Sequence, residues 1–171
     1  MVPVLAFGAL ALSFSSPALA NNLVILPAEA LAHSASVDII GSQNVLQIVQ
    51  TFSGAGSQSG NQARVWIEGD GNGSGTLAPG LAPNSLNVTL GSDMPDGGLI
   101  AQSGFDNAVS LSVFGMRNLF SFVQQGSLNS ASGSISGLDN QASIQQIGQN
   151  NIAAFSQNGN GNIVSISQTS W

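Results

Sequence analysis

Four aspartates, Asp93, Asp96, Asp106 and Asp139, come closest to an acid–base constellation in this sequence. Paired carboxylates can shuttle a proton to and from a glycosidic oxygen, the chemistry of polysaccharide-cleaving β-helix enzymes. These four fall in or beside turns, some at places otherwise held by Gly or Asn. Their plainer role is charge repulsion that slows premature aggregation. The run Asp70-Gly71-Asn72-Gly73-Ser74-Gly75 starts like a calcium loop, with oxygen ligands at its first, third and fifth places. Its twelfth place is Leu81, not the bidentate Glu such a loop needs, so a Gly-rich turn is expected instead. His33 is the sole histidine and has no evident base or metal partner nearby; solvent exposure is expected for it. Cysteine is absent, which removes disulfides and thiolate metal sites. The sequence therefore predicts no enzyme, no metal and no cofactor.

If these residues do no chemistry, the elements that carry them must explain the chain. Charged residues make up 6% of its 171 positions, with Arg64 and Arg117 the only fixed cations and a net charge of −6. Phosphate binding needs clustered Lys and Arg, so nucleic acid is excluded as a partner, as is a basic membrane-surface patch. Disorder favours low hydrophobicity with high charge, whereas 43% of this chain is hydrophobic. Ser, Gln, Asn and Gly interleaved with aliphatic residues are the mixture of an amyloid-competent β chain. At the start, Val2 to Leu12 is apolar but too short to span a bilayer as a helix, and Ala18-Leu19-Ala20 offers a small-residue cleavage site. Residues 1–20 are read as a signal peptide for export, although no Lys or Arg precedes the apolar run, and 21–36 as a leader. No later segment is long and apolar enough for membrane insertion.

From Gln102 onward the chain repeats every eleven residues. Asn107, Asn118, Asn129, Asn140, Asn151 and Asn162 are evenly spaced, each preceded by three places by Gly104, Gly115, Gly126, Gly137, Gly148 or Gly159. After each Asn the side chains alternate with period two, the signature of a strand. Leu111, Phe122, Ile144, Phe155 and Ile166 lie four places past an Asn and are expected to face a core; Gly133 takes that place in one unit. The intervening Ser, Gln and Ala face outward, as do Arg64 and Trp66 upstream. Each unit predicts a strand of five or six residues and a tight Gly-x-x-Asn turn, where Gly and Asn tolerate positive φ.

A period of twenty-two describes the repeat better. Gln102, Gln124, Gln146 and Gln168 recur at that spacing, while Val113, Ile135 and Gln157 hold the equivalent place on alternate strands. The expected fold is all-β: a β-solenoid with two strands per 22-residue coil and parallel, amyloid-like rungs about 4.8 Å apart. Gln and Asn in register are expected to form amide ladders. Residues 102–171 form the regular part and 37–101 a degenerate one, together a single solenoid domain of about eleven strands. In the degenerate part Asn44, Asn61, Asn72 and Asn84 head units at uneven spacing, and Asp96 takes the Asn place before Ile100 and Gln102.

The regular consensus, Gln-x-Gly-x-x-Asn-x-Ala-x-apolar-x-Gln, resembles the curlin repeat of bacterial curli subunits. The closest unit runs from Gln146 through Gly148, Asn151, Ala153 and Phe155 to Gln157. Departures are Val113 and Ile135 in place of Gln, and Phe120 in place of Ala. The resemblance implies a secreted, cell-surface subunit that polymerises with itself into a curli-like amyloid fibre for adhesion and biofilm matrix. It further implies partners: a nucleating or major curlin subunit and an outer-membrane secretion pore. The alternative is a capped, monomeric β-solenoid serving as a surface adhesin or binding scaffold. A capped solenoid is expected to end in an atypical polar or helical segment, whereas Ile163 to Gln168 keeps the repeat pattern.

Overall fold

A computed structural model of the protein describes residues 9–15, 22–25, 33–51, 59–81 and 97–171. Within them the chain forms β1 (Ala9–Ser15), β2 (Leu23–Ile25), β3 (Ser34–Ile40), β4 (Val45–Thr51), β5 (Gln62–Glu68) and β6 (Leu99–Phe105). It continues with β7 (Ala108–Met116), β8 (Leu119–Ser127), β9 (Ser130–Leu138), β10 (Gln141–Gln149), β11 (Ile152–Asn158) and β12 (Ile163–Thr169). Odd-numbered strands stack in order into one six-stranded sheet and even-numbered strands into another. All neighbours run parallel, so each coil contributes one strand to each wall. The protein is an all-β solenoid.

Alternation along the strands explains the two walls. In β5 the pattern is strict, with Ala63, Val65 and Ile67 buried while Gln62, Arg64, Trp66 and Glu68 are exposed. Inward side chains from both sheets form one continuous core from Ala35 to Ala153, with Phe155 and Ile166 packed against it. Burial of such columns is worth roughly 25 cal/mol per Å² of apolar surface, and no rung can achieve it alone. Phe155 fills a gap prepared below it. Its rung partner is Gly133, where any side chain would overlap the Phe155 ring. The ring instead lies 6.0 Å from that of Phe122 across the core.

Regular strands are longer than the five or six residues expected, nine in β7 to β10. Backbone pairing does not stop at the apolar segment but runs on through the turn glycines, as in Gly104↔Gly126 and Gly126↔Gly148. The turn chemistry also differs from expectation. Positive φ belongs to the Gly and to the residue just before the Asn, such as Asp106, Arg117, Leu128, Asp139 and Asn150 at 54–59°. The column Asn itself is not among these left-handed residues. Gly126, at φ 115°, is required twice over: a Cβ there would also run into the Gly148 carbonyl of the next rung.

The stack extends upstream of residue 37, where the repeats become illegible in sequence. Strand β1 falls within the segment read as a signal peptide and pairs with β3, and β2 falls within the leader and pairs with β4. The insertion after β5 also sits differently. Val45 donates to the Asn72 carbonyl and Gln47 to that of Gly98. The chain thus leaves a rung after Asn72 and re-enters the same rung at Gly98, so Asn72, not Asp96, takes the Asn place ahead of β6. The Asn84 unit, Asp93 and Asp96 lie outside the described residues.

Candidate functional site

The predicted site residues assemble into three columns that run along the solenoid axis. Asparagines form two, one at each corner. Asn22, Asn44, Asn72, Asn118, Asn140 and Asn162 stack at the corner leading into the even sheet. Asn61, Asn107, Asn129 and Asn151 stack at the corner leading into the odd sheet. Below the last member of each column, each Oδ1 accepts twice from the next rung: Asn107 Oδ1 takes the Asn129 backbone N–H at 3.2 Å and its Nδ2 at 2.9 Å. Each of their Nδ2 groups also reaches a glycine carbonyl, as Asn107 Nδ2 does to Gly126 at 2.9 Å and Asn118 Nδ2 to Gly137 at 3.0 Å, whereas Asn151 and Asn162 donate to the Ile147 and Asn158 carbonyls. The side chains from Asn44 to Asn140 are buried yet have their amides used, which is the condition for burying a polar group at low cost.

The third column is the glutamine ladder of the even sheet. Gln50, Gln102, Gln124, Gln146 and Gln168 each lie one rung above the last, with Nε2 to Oε1 distances of 2.8 Å throughout. The second Nε2 hydrogen turns across the core edge to a carbonyl of the odd sheet, Gln124 to Ala108 and Gln146 to Ser130, both at 3.0 Å. Donors point toward the higher-numbered rung in the glutamine ladder and toward the lower-numbered rung in the asparagine ladders. The stack therefore has a direction written twice.

Gln157 does not join this ladder. It lies in the odd sheet above Ile135, its Nε2 donates to the Gln141 carbonyl at 3.0 Å, and its buried Oε1 has no hydrogen-bond partner. Ile135, an aliphatic neighbour, cannot supply the donor that each glutamine of the even sheet receives from the rung below. Gln50 and Asn72, in contrast, are full members of their columns outside the regular half.

His33 was expected at the surface. It is instead buried, 4% exposed, at the Asn place below Asn61, whose backbone N–H donates to His33 Nδ1 at 2.9 Å. Its ring takes one of the two bonds that an Asn Oδ1 takes elsewhere, the backbone N–H, while Asn61 Nδ2 turns to the Gly104 carbonyl at 3.1 Å. Burial lowers the His33 pKa below 6.5.

Two of the described carboxylates, Asp70 and Asp139, bond within the stack. Asp139 sits one rung above Arg117 in the same turn column, and the two form a bidentate pair at 2.7 and 2.8 Å. The guanidinium hydrogen bond holds the Asp139 carboxyl below its ordinary range. Repulsion is thus not the role of Asp139. Asp70 Oδ1 accepts from the Ser42 hydroxyl and backbone N–H, which lowers its pKa. With Asn72 locked in its column, the calcium-like run is a turn between rungs. Asp106 and Asp139 occupy opposite corners and form no acid–base pair.

The outer faces of the two sheets differ. On the even sheet Leu99, Ala101 and Val123 make a second buried cluster, beside buried Ser121 and Ser143. The segment following Asn72 lies across this sheet, where Ala78 N–H donates to Gln141 Oε1 at 2.8 Å and Leu77 is buried. The outer face of the odd sheet carries exposed Arg64 and Trp66 and rows of serine.

Residues 137–169 match the curlin associated repeat. No curated protein and no solved structure matches the chain. The matched stretch holds Asn140, Asn151 and Asn162 with Gln146 and Gln168 in the columns described above. The same bonds continue, rung by rung, into residues outside the matched stretch whose spacing has drifted.

Proposed function

We propose that this chain is a structural, non-enzymatic subunit that self-assembles outside the cell into curli-like amyloid fibres supporting adhesion and biofilm matrix. One observation carries the reading. From the coil of Asn44, Gln50 and Asn61 onward, each rung offers its successor the same pattern: two Asn columns, a Gln column and a strand edge. Such a pattern does not discriminate between a rung of the same chain and a rung of another, and in-register amide ladders are what stabilises cross-β stacks. The curlin repeat supports the same role, and with it export through an outer-membrane pore and co-assembly with a nucleating or major curlin subunit. Residues 1–20 are then a signal peptide whose removal takes β1 from the stack and makes β3 the first odd rung.

Thioflavin-T fluorescence and fibre diffraction on the chain from Asn21 to Trp171, incubated without denaturant, test this proposal. Sigmoidal growth with reflections near about 4.7 and about 10 Å is expected. A β-rich monomer that stays soluble over days, with or without curlin seeds, would overturn fibre formation and leave a monomeric surface adhesin.

A further inference from the structure

We propose that His33 makes the β3 rung of the odd sheet acid-labile, so that mild acid loosens this end of the solenoid while β7 to β10 stay stacked. At three successive places in this column, Asn61, Asn107 and Asn129, an Asn accepts the next rung through an oxygen that cannot be protonated near neutral pH. At a fourth, below Asn61, the acceptor is an imidazole nitrogen, Nδ1 of His33, 2.9 Å from the Asn61 backbone nitrogen. An imidazole accepts at Nδ1 only in the tautomer with Nδ1 bare. Protonation there puts a hydrogen on each of two facing nitrogens, and the bond becomes a repulsion.

The neighbouring contacts make the rung depend on that bond. Ser34, next in the chain, donates its N–H to the Asn61 carbonyl at 3.0 Å, and Gln50 Nε2 donates to the Ser34 carbonyl at 3.2 Å. Moving His33 away therefore disturbs the start of β3 and the lowest described member of the glutamine ladder together. Among the described residues, the charged groups nearby lie on the other side of the sheet or beyond the corner. Asp38 on β3, and Arg64 and Glu68 on β5, sit at outward positions, whereas His33 shares the parity of inward Ala35, Val37 and Ile39. Asp106 is in the turn above Ser59, and β1 and β4 contain no titratable residue. Burial, which disfavours the imidazolium, keeps the bond intact at neutral pH.

The sign follows from linkage. A histidine whose folded pKa is lowered contributes stability that is fully present above its unfolded value of 6.5 and is lost as pH falls through its folded value. In that window the protection of the rung drops by up to about tenfold per pH unit. Hydrogen exchange read segment by segment on the full chain, between about pH 7.5 and about pH 5 and corrected for intrinsic rates, tests this. Protection in β3 and at Asn61 is expected to fall while β7 to β10 hold theirs. His33→Asn, which restores an oxygen acceptor, is expected to keep β3 protected at both pH values; His33→Ala is expected to leave it weak at both. Equal pH responses in wild type and His33→Asn, or a wild-type loss spread evenly over all rungs, would overturn the proposal. Neither readout requires fibres to form.

Discussion

The two walls of the solenoid solve one packing problem in opposite ways. At the place before each turn the even sheet carries Gln50, Gln102, Gln124, Gln146 and Gln168, whereas the odd sheet carries Ile39, Ile67, Val113 and Ile135 before ending in Gln157. The backbone registers are the same. What differs is how each column depends on its members. An aliphatic column gains from each residue separately, through surface removed from water. A buried amide ladder gains only if each member finds its neighbour, because the alternative is an orphaned donor or acceptor in a water-free core. The even wall is thus cooperative and specific in register, and the odd wall is tolerant.

Breaking the ladder in its middle should have the largest effect. Gln124→Leu takes one bond from each of three groups: Gln146 Oε1 loses its ladder donor, Gln102 Nε2 keeps only its bond to the Gln62 carbonyl, and the Ala108 carbonyl loses its amide donor. At about 1–3 kcal/mol for the orphaned oxygen and about 1 kcal/mol for each of the other two bonds, less the gain from a more apolar side chain, a loss of about 2–4 kcal/mol is expected in urea unfolding. If the columns mediate assembly, fibre growth slows in the same variant. A loss below about 1 kcal/mol would mean that water or rearranged amides replace the ladder, and the contrast between walls would fail.

A second substitution probes how the walls interlock across the core. Gly133→Val puts a branched side chain where the Phe155 ring lies and drives that ring from its place beside Phe122. Overpacking typically costs about 1–3 kcal/mol, offset in part by the better strand propensity of Val over Gly. A net loss of about 1–2 kcal/mol is expected, concentrated in β9 and β11 by hydrogen exchange. Adding Phe155→Ala should recover part of it, since the two residues share one space.

Much of this architecture is legible in the residues themselves. Six asparagines at a spacing of eleven, and glutamines at twenty-two, suffice to place β7 to β12, their facing and their register. What is hidden is any member of a column that does not look like one. His33 stands in for an Asn because its Nδ1 accepts the backbone N–H that an amide oxygen accepts elsewhere, and a search for identical residues passes over it. Asn72 carries the right residue at the wrong spacing within its column, because insertions enter at turns or inside a rung without altering the stack. The Arg117–Asp139 pair was accessible, since the two stand twenty-two residues apart at one turn place. The buried outer face of the even sheet was not, because covering Leu99, Ala101 and Val123 depends on the path of an irregular segment that no periodicity describes.

Applying the same change to the tolerant wall sharpens the comparison. Gln157→Ile removes one bond, from Nε2 to the Gln141 carbonyl, but also removes the stranded Oε1. It makes the rung resemble those of Ile135 and Ile67. Gain and loss are each about 1 kcal/mol, so unfolding should shift by no more than about 1 kcal/mol in either direction. A loss as large as that of Gln124→Leu would show that glutamine is required in both walls, and the distinction drawn here would collapse.

The smallest effect is expected at the corner, where a charge pair sits on neither wall. Arg117 and Asp139 meet in a well-formed fork, but their side chains are 60% and 54% exposed, and solvent screens such pairs almost entirely. Asp139→Asn keeps a residue that adopts the left-handed φ of 57° while deleting the charge, so it isolates the pair from the turn. At neutral pH no resolvable change in the urea midpoint is expected from Asp139→Asn, nor from Arg117→Gln. Whatever the pair does contribute is confined to pH above the acid range. Its guanidinium lowers the Asp139 pKa below 3.8, so the unfolded chain takes up the proton first as pH falls. The contribution is present above 3.8 and vanishes below it as the folded carboxyl protonates, while Arg117 stays charged throughout. Wild type and Asp139→Asn should thus converge in stability at the acid end of that range. A clear neutral-pH difference, insensitive to salt, would instead assign the corner a structural weight comparable to that of the walls.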